Sequence, residues 1–191
     1  REETEGGRRT GFFGLGGREG LKDDAKPHLI FTYGTLKQGF HNHKLTQDLI
    51  NHDDAVLLGP YITRHSYPLV CGPYGIPYLI NLPGSGHRVK GELYSVSTRG
   101  LARLDELEGT SIGHYERLPV DVMNADNDIV SVEAQAYYAH RSFGPAMWER
   151  NGKAGLSEFT EKEAKGYVKR QDRPCQGRAI LEDVRHFVSG M

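Results

Sequence analysis

Leu29-Ile30-Phe31-Thr32-Tyr33-Gly34-Thr35-Leu36 is the stretch that governs how the rest of the chain is read. Its first five residues form a short apolar, β-branched run, the mark of a buried strand, and Gly34 stops it. A strand running into glycine lets the backbone bend sharply and expose successive N–H groups to a carboxylate or an oxyanion. The Thr35 hydroxyl adds a donor. Taken alone, the stretch is better read as an ordinary strand-to-loop transition. It lacks the Gly-x-x-x-x-Gly-Lys-Ser/Thr spacing of a nucleotide P-loop.

Downstream, residues 43–51 are expected to form a short helix behind Asn42 as N-cap. Strand-like runs follow at 54–64, 67–71, 76–82 and 87–97. They are separated by the turn signals Gly72-Pro73-Tyr74-Gly75 and Pro83-Gly84-Ser85-Gly86. Residues 98–108 read as a helix with Thr98 as N-cap and Gly109 just past its end. Two more strands, 115–123 and 129–140, are joined through Asp126-Asn127-Asp128. Many short strands with tight turns and inserted helices predict a mixed sheet or small barrel rather than a doubly wound parallel sheet.

Upstream and beyond this region the character changes. Residues 1–27 alternate glycines with charges and carry too little apolar surface to offset ordering entropy, so they are expected to be a disordered arm. The arm has no starting Met, which fits processing or truncation; Glu2, Glu3 and Glu5 argue against a transit peptide. Residues 28–141 form the expected domain, and 142–191 a peripheral helical extension. In the extension, Thr160 with Glu163 makes a capping-box pattern for a helix to about residue 169. Residues 178–188 carry Ile180, Leu181, Val184, Phe187 and Val188 on one side.

With 24 Lys and Arg against 25 Asp and Glu, interspersed, the chain has a formal net charge of −1. That balance gives no basis for a nucleic-acid or anionic-membrane partner, so the expected ligand is a small molecule. Two distant cysteines, Cys71 and Cys175, suit neither a disulfide scaffold nor a zinc site. With no bilayer-length apolar run and no signal-peptide core, the cytosol is the default compartment.

The chemistry-bearing candidate is Glu108. At about 100° per residue, Leu101, Leu104 and Leu107 form the apolar stripe of the 98–108 helix, and Glu108 projects inside it. Glu106 falls on the solvent side, and Asp105 flanks the stripe. An inward carboxylate is costly unless paired or useful. Desolvation and the negative helix end should both raise its pKa, toward that of a base competent near neutrality. Fraying into solvent, or pairing with a buried Arg, is the plain structural alternative.

His41 and His43 lack an obvious third ligand and read as surface histidines rather than a metal site. Cys71 ends a strand-like run, as core thiols do. Tyr137 and Tyr138 alternate on a strand, so one should face inward and need a partner for its hydroxyl.

Tyr33-Gly34-Thr35-Leu36-Lys37-x-Gly39 followed by Asn42-His43 resembles the opening motif of the γ-glutamylcyclotransferase superfamily, closest to its γ-glutamylamine cyclotransferase and plant avirulence-induced-gene-like branch. Tyr67-Pro68-Leu69-Val70, Ile76-Pro77-Tyr78-Leu79 with Leu82-Pro83-Gly84-Ser85-Gly86, Val89-x-Gly91-Glu92-Leu93-Tyr94, and Leu104-Asp105-x-x-Glu108 with Tyr115-x-Arg117 agree in order. The resemblance covers roughly residues 28–140. It implies an α+β fold, a compact mixed β-barrel with flanking helices. It implies that Tyr33, Gly34, Thr35 and Leu36 bind a γ-glutamyl group, with Tyr138 lining the pocket.

The same resemblance implies Glu108 as catalytic acid/base, release of 5-oxoproline and a free amine, and no metal or cofactor. Thr35, in place of a Ser-Asn form, points toward the amine branch without fixing the leaving amine. A monomer is the default. Two competing readings are a catalytically silent binding or interaction module of the same fold, and a cysteine hydrolase using Cys71.

Overall fold

A computed structural model describes residues 25–174 and 179–190. Most of the expected N-terminal arm, and Cys175, lie outside the described residues. β1 (His28–Thr32) leads to α1 (His43–Asn51), β2 (Ala55–Tyr67), β3 (Leu69–Cys71), β4 (Pro77–Leu79) and β5 (His87–Val96). Then come α2 (Thr98–Leu107), β6 (Tyr115–Asn124), β7 (Asn127–Ala139), α3 (Gly144–Arg150), α4 (Glu161–Ala164) and α5 (Ile180–Ser189).

The strand order is β1-β5-β2-β6-β7-β4-β3, and a parallel pairing of β1 with β7 closes the first five strands into a mixed barrel. Both β1 and β4 run parallel along the same edge of β7. β1 meets it at Ile30↔Gln135 and β4 at Leu79↔Tyr138. The chain leaving β1 at Tyr33 and the chain entering β4 at Pro77 therefore converge where one strand hands the edge to the other.

Period-two alternation sorts side chains onto the two faces of this sheet. Phe31, Val89, Leu93, Val120, Val122, Ala134, Ala136 and Tyr138 pack together in one buried cluster. Ile30, Tyr94, Val96, Tyr137 and Ala139 pack in another, against Leu49 of α1 and Leu101 and Leu104 of α2. Each fully buried Leu here contributes about 1.5–3 kcal/mol relative to exposure.

Two local readings shift by a residue. Ser97, not Thr98, caps α2. Its hydroxyl accepts from the Gly100 amide at 3.0 Å and donates to Asp54 Oδ1 at 2.8 Å, whereas Thr98 is exposed. At the other end Gly109 adopts φ +64, so the helix stops at Leu107 and Glu108 is its C-cap.

The segment after Arg141 is packed into the domain. Met147, Phe159 and Val184 are wholly buried, and the Leu156 amide donates to the Leu69 carbonyl at 2.8 Å. The Thr160/Glu163 capping box is present, but α4 is a single turn, cut short before Gly166, where the chain turns away. Among the described residues no helix is long and apolar enough to cross a membrane.

Candidate active site

The bend after β1 is held from outside through its carbonyls. Gly34 O accepts from the Lys37 amide at 3.1 Å, and Thr35 O from the Asn42 amide at 3.0 Å. Leu36 O accepts from the Thr46 hydroxyl at 3.1 Å and is bonded to His43 Nδ1, also at 3.1 Å. Among the described residues, the amides of Thr35 and Leu36 donate to no protein acceptor. The buried Lys37 ammonium donates to the Phe159 carbonyl at 2.8 Å, which ties the bend to the C-terminal segment. Gly34 is required by proximity, because a Cβ there would lie 2.6 Å from Pro77 Cγ.

Tyr33, Gly34, Thr35 and Leu36 line a recess of about 90 Å³ together with Glu108, Asn42, Pro77, His114, Tyr115, Tyr137, Tyr167, Arg170 and Arg173. The Glu108 carboxyl is stripped of water there, and burial pushes its pKa up to about 7 against the opposing pull of the Arg170 guanidinium. Its charge in turn raises the phenol pKa values of Tyr33, Tyr78, Tyr115 and Tyr137, in each case behind burial itself. These phenols stay protonated and act as donors. Tyr33 donates to the Tyr137 carbonyl at 2.5 Å, and Tyr115 to the Pro77 carbonyl at 2.9 Å.

Tyr138, expected in the recess, is elsewhere. Its ring packs edge-on to Tyr67 in the Phe31 cluster, and its hydroxyl donates to the Pro119 carbonyl at 3.1 Å. Neighbouring residues of a strand face opposite ways, so the tyrosine of this strand that lines the recess is Tyr137. The Tyr137 hydroxyl donates to Asp105 Oδ1 at 2.7 Å, and Asp105 is gripped by Arg117 at 2.8 and 3.1 Å. The carboxylate flanking the helix stripe is thus a structural clamp behind the site.

His114, Tyr115, Tyr167, Arg170 and Arg173 were not singled out for the site from sequence. His114 is bonded to the Tyr78 hydroxyl at 2.6 Å. Burial, with Arg173 and Arg170 nearby, lowers its pKa to about 4, so it is a neutral imidazole at physiological pH. Its place right after Gly113, shortly beyond Glu108, was the available signal. The two arginines lie in the extension between the helix expected to end near residue 169 and the one expected from 178, and carried none.

His41 stacks near Tyr167 and His43 bonds a carbonyl, and among the described residues no three His, Cys, Asp or Glu side chains form a metal-ligand group. Cys71 does not line the recess, and burial raises its thiol pKa to about 11, so it is a poor nucleophile at neutral pH.

Comparisons with known proteins place the sequence and the fold among relatives. A human γ-glutamylaminecyclotransferase is 46% identical over 128 residues, covering 63% of this chain and 82% of its own. An Arabidopsis thaliana protein provisionally named a γ-glutamylcyclotransferase is 52% identical over 172 residues, covering 84% of this chain and 91% of its own. The crystal structure of an AIG2-like protein from Mus musculus superposes with a TM-score of 0.66 at 32% identity, covering 76% of this chain and 98% of that one. The family model described as "Gamma-glutamyl cyclotransferase, AIG2-like" matches residues 30–159. With that match spanning the barrel, the bend after β1 and Glu108, the chain belongs to the γ-glutamyl cyclotransferase, AIG2-like family.

Proposed function

We propose that this protein is a γ-glutamyl cyclotransferase in which Glu108 moves the protons and the Tyr33–Leu36 bend holds the γ-glutamyl group. The observation that carries the reading is a desolvated carboxyl with a pKa of about 7 in the same recess as unengaged backbone amides. Glu108 takes a proton from the substrate's α-ammonium. The freed nitrogen attacks the γ-carbonyl carbon, forming the five-membered ring and a tetrahedral oxyanion that the Thr35 and Leu36 amides accept. The bond to the leaving nitrogen then breaks, Glu108 returns its proton there, and 5-oxoproline and a free amine result.

Because the nucleophile belongs to the substrate, the protein's main task is to hold it folded. Well-oriented intramolecular attack reaches effective molarities on the order of 10⁵ M or more. Family membership and the names of the relatives support the activity. Cytosolic residence belongs to the same proposal, on the low cysteine content.

The direct test is a panel of γ-glutamyl amides, γ-glutamyl amino acids and glutathione, followed by 5-oxoproline release. Turnover of at least one is expected; saturable binding with no 5-oxoproline from any would instead establish a silent binding module. A pH profile adds a second check. The base form of Glu108 is the carboxylate, so kcat/KM should rise with pH, half-maximal near pH 7, rather than near the ordinary carboxylate value of 4.5. A rate flat between pH 5.5 and 8.5, with chemistry rate-limiting, would remove Glu108 as the base.

A further inference from the structure

The bond from the Lys37 amide to the Gly34 carbonyl makes residues 34–37 a closed β-turn with Thr35 and Leu36 in its middle. The two amides assigned to the oxyanion are therefore only as well placed as this turn. Lys37 closes the turn through its backbone and leaves it through its side chain, whose ammonium reaches the Phe159 carbonyl at 2.8 Å. That carbonyl is a fixed point. Phe159 is wholly buried, and the chain just before it is bonded to the barrel twice. The Lys90 amide donates to the Ser157 carbonyl at 2.9 Å, and the Leu156 amide to the Leu69 carbonyl at 2.8 Å.

An ammonium in this position carries a desolvation cost. Lys37 is 5% exposed, and among the described residues no carboxylate pairs with it, whereas Lys26 and Lys153 each have one. Two of the acids whose charge it feels are engaged elsewhere. Glu92 accepts from the Gln38 amide at 2.8 Å and the Tyr94 hydroxyl at 2.9 Å, and Glu163 from the Thr160 amide at 2.8 Å. The ammonium has instead one neutral carbonyl and the Phe40 ring, whose centroid lies 4.8 Å away. Burial lowers its pKa accordingly. An apolar side chain of like volume would fill the space without that cost. What it could not do is fix the turn to a point outside itself.

We propose that Lys37 is a positioning residue: its ammonium, held by the Phe159 carbonyl, sets the 34–37 turn so that the Thr35 and Leu36 amides stand where the oxyanion forms. This rests on the cyclotransferase reading. It gives the chain beyond the barrel a part in catalysis, exerted through a side chain that does not itself line the recess.

The test sets Lys37→Met beside Phe40→Leu, a control that loosens the same packing but keeps the ammonium–carbonyl bond. Both are assayed well below their melting transitions, on whichever γ-glutamyl substrate wild type turns over. Because the oxyanion exists only along the reaction, Lys37→Met should lower kcat by about tenfold to a hundredfold and move KM by less than about threefold, while Phe40→Leu keeps kcat within about twofold. Near wild-type kcat in Lys37→Met, a loss confined to KM, or an equal loss in Phe40→Leu would overturn the proposal. Should Lys37→Met not fold, Lys37→Gln, too short to reach the carbonyl, takes its place under the same criteria. Should wild type release no 5-oxoproline from any substrate, the cyclotransferase reading is what fails. Backbone amide NMR order parameters then decide the positioning: values for Thr35 and Leu36 lowered in Lys37→Met but not in Phe40→Leu uphold it, and unchanged values overturn it.

Discussion

Glu108→Gln is expected to lower kcat by about a hundredfold to ten-thousandfold while the substrate still binds, because the amide keeps the shape of the acid but cannot carry the proton. Steady-state kinetics with calorimetry on the inactive variant separates the two effects, and near wild-type turnover would end the mechanism. The same substitution has a stability signature of known sign. The folded carboxyl has a pKa of about 7 against an ordinary 4.5, so the folded state holds the proton more tightly. Its contribution to stability is full below pH 4.5 and is lost as pH rises through about 7. Above that window, keeping the carboxylate buried costs on the order of 3 kcal/mol. Gln never ionises, so the variant should match wild type near pH 4 and exceed it in denaturant unfolding at pH 8. A variant less stable at pH 8 would show that the carboxylate is a structural partner instead.

Gly91→Ala is expected to cost about 3 kcal/mol or more, by overpacking at a point that cannot yield. An added Cβ would lie 2.2 Å from the Thr32 carbonyl oxygen and 2.7 Å from the Phe31 ring. The neighbour is backbone of β1, paired with β5 across Thr32↔Glu92, so relief requires the strands to separate just before the bend at Tyr33–Leu36. For a chain of this size the melting temperature should fall by roughly 6–12 °C. kcat/KM should fall with it even well below the transition, since the bend loses its footing. A melting curve superimposable on wild type would show that the barrel opens there more easily than its packing suggests.

Much of the fold was legible in sequence because the relevant signals are local. The run before Gly34, the two Gly/Pro turns, the helix at 43–51 and the hairpin through Asp126-Asn127-Asp128 follow from periodicity and turn chemistry. Placement of Glu108 was also local: the stripe of Leu101 and Leu104 fixes where the next turn of chain points, even though Gly109 ends the helix one residue earlier than expected. Barrel closure was less accessible, since nothing in β1 or β7 alone announces their single parallel contact at Ile30↔Gln135.

The amino-acid sequence by itself marked most of the elements, the inward-facing position of Glu108 and the glycine that ends the first strand, all of which arise from residues within a few turns of each other. Only the tertiary structure decided between Tyr137 and Tyr138. Alternation says that neighbours on a strand face opposite ways, but which way depends on what packs against each face. It alone brought Arg170 and Arg173 to Glu108. That encounter depends on Gly166–Tyr167 seating against Gly75, a long-range backbone contact that leaves no periodic trace in the residues it joins.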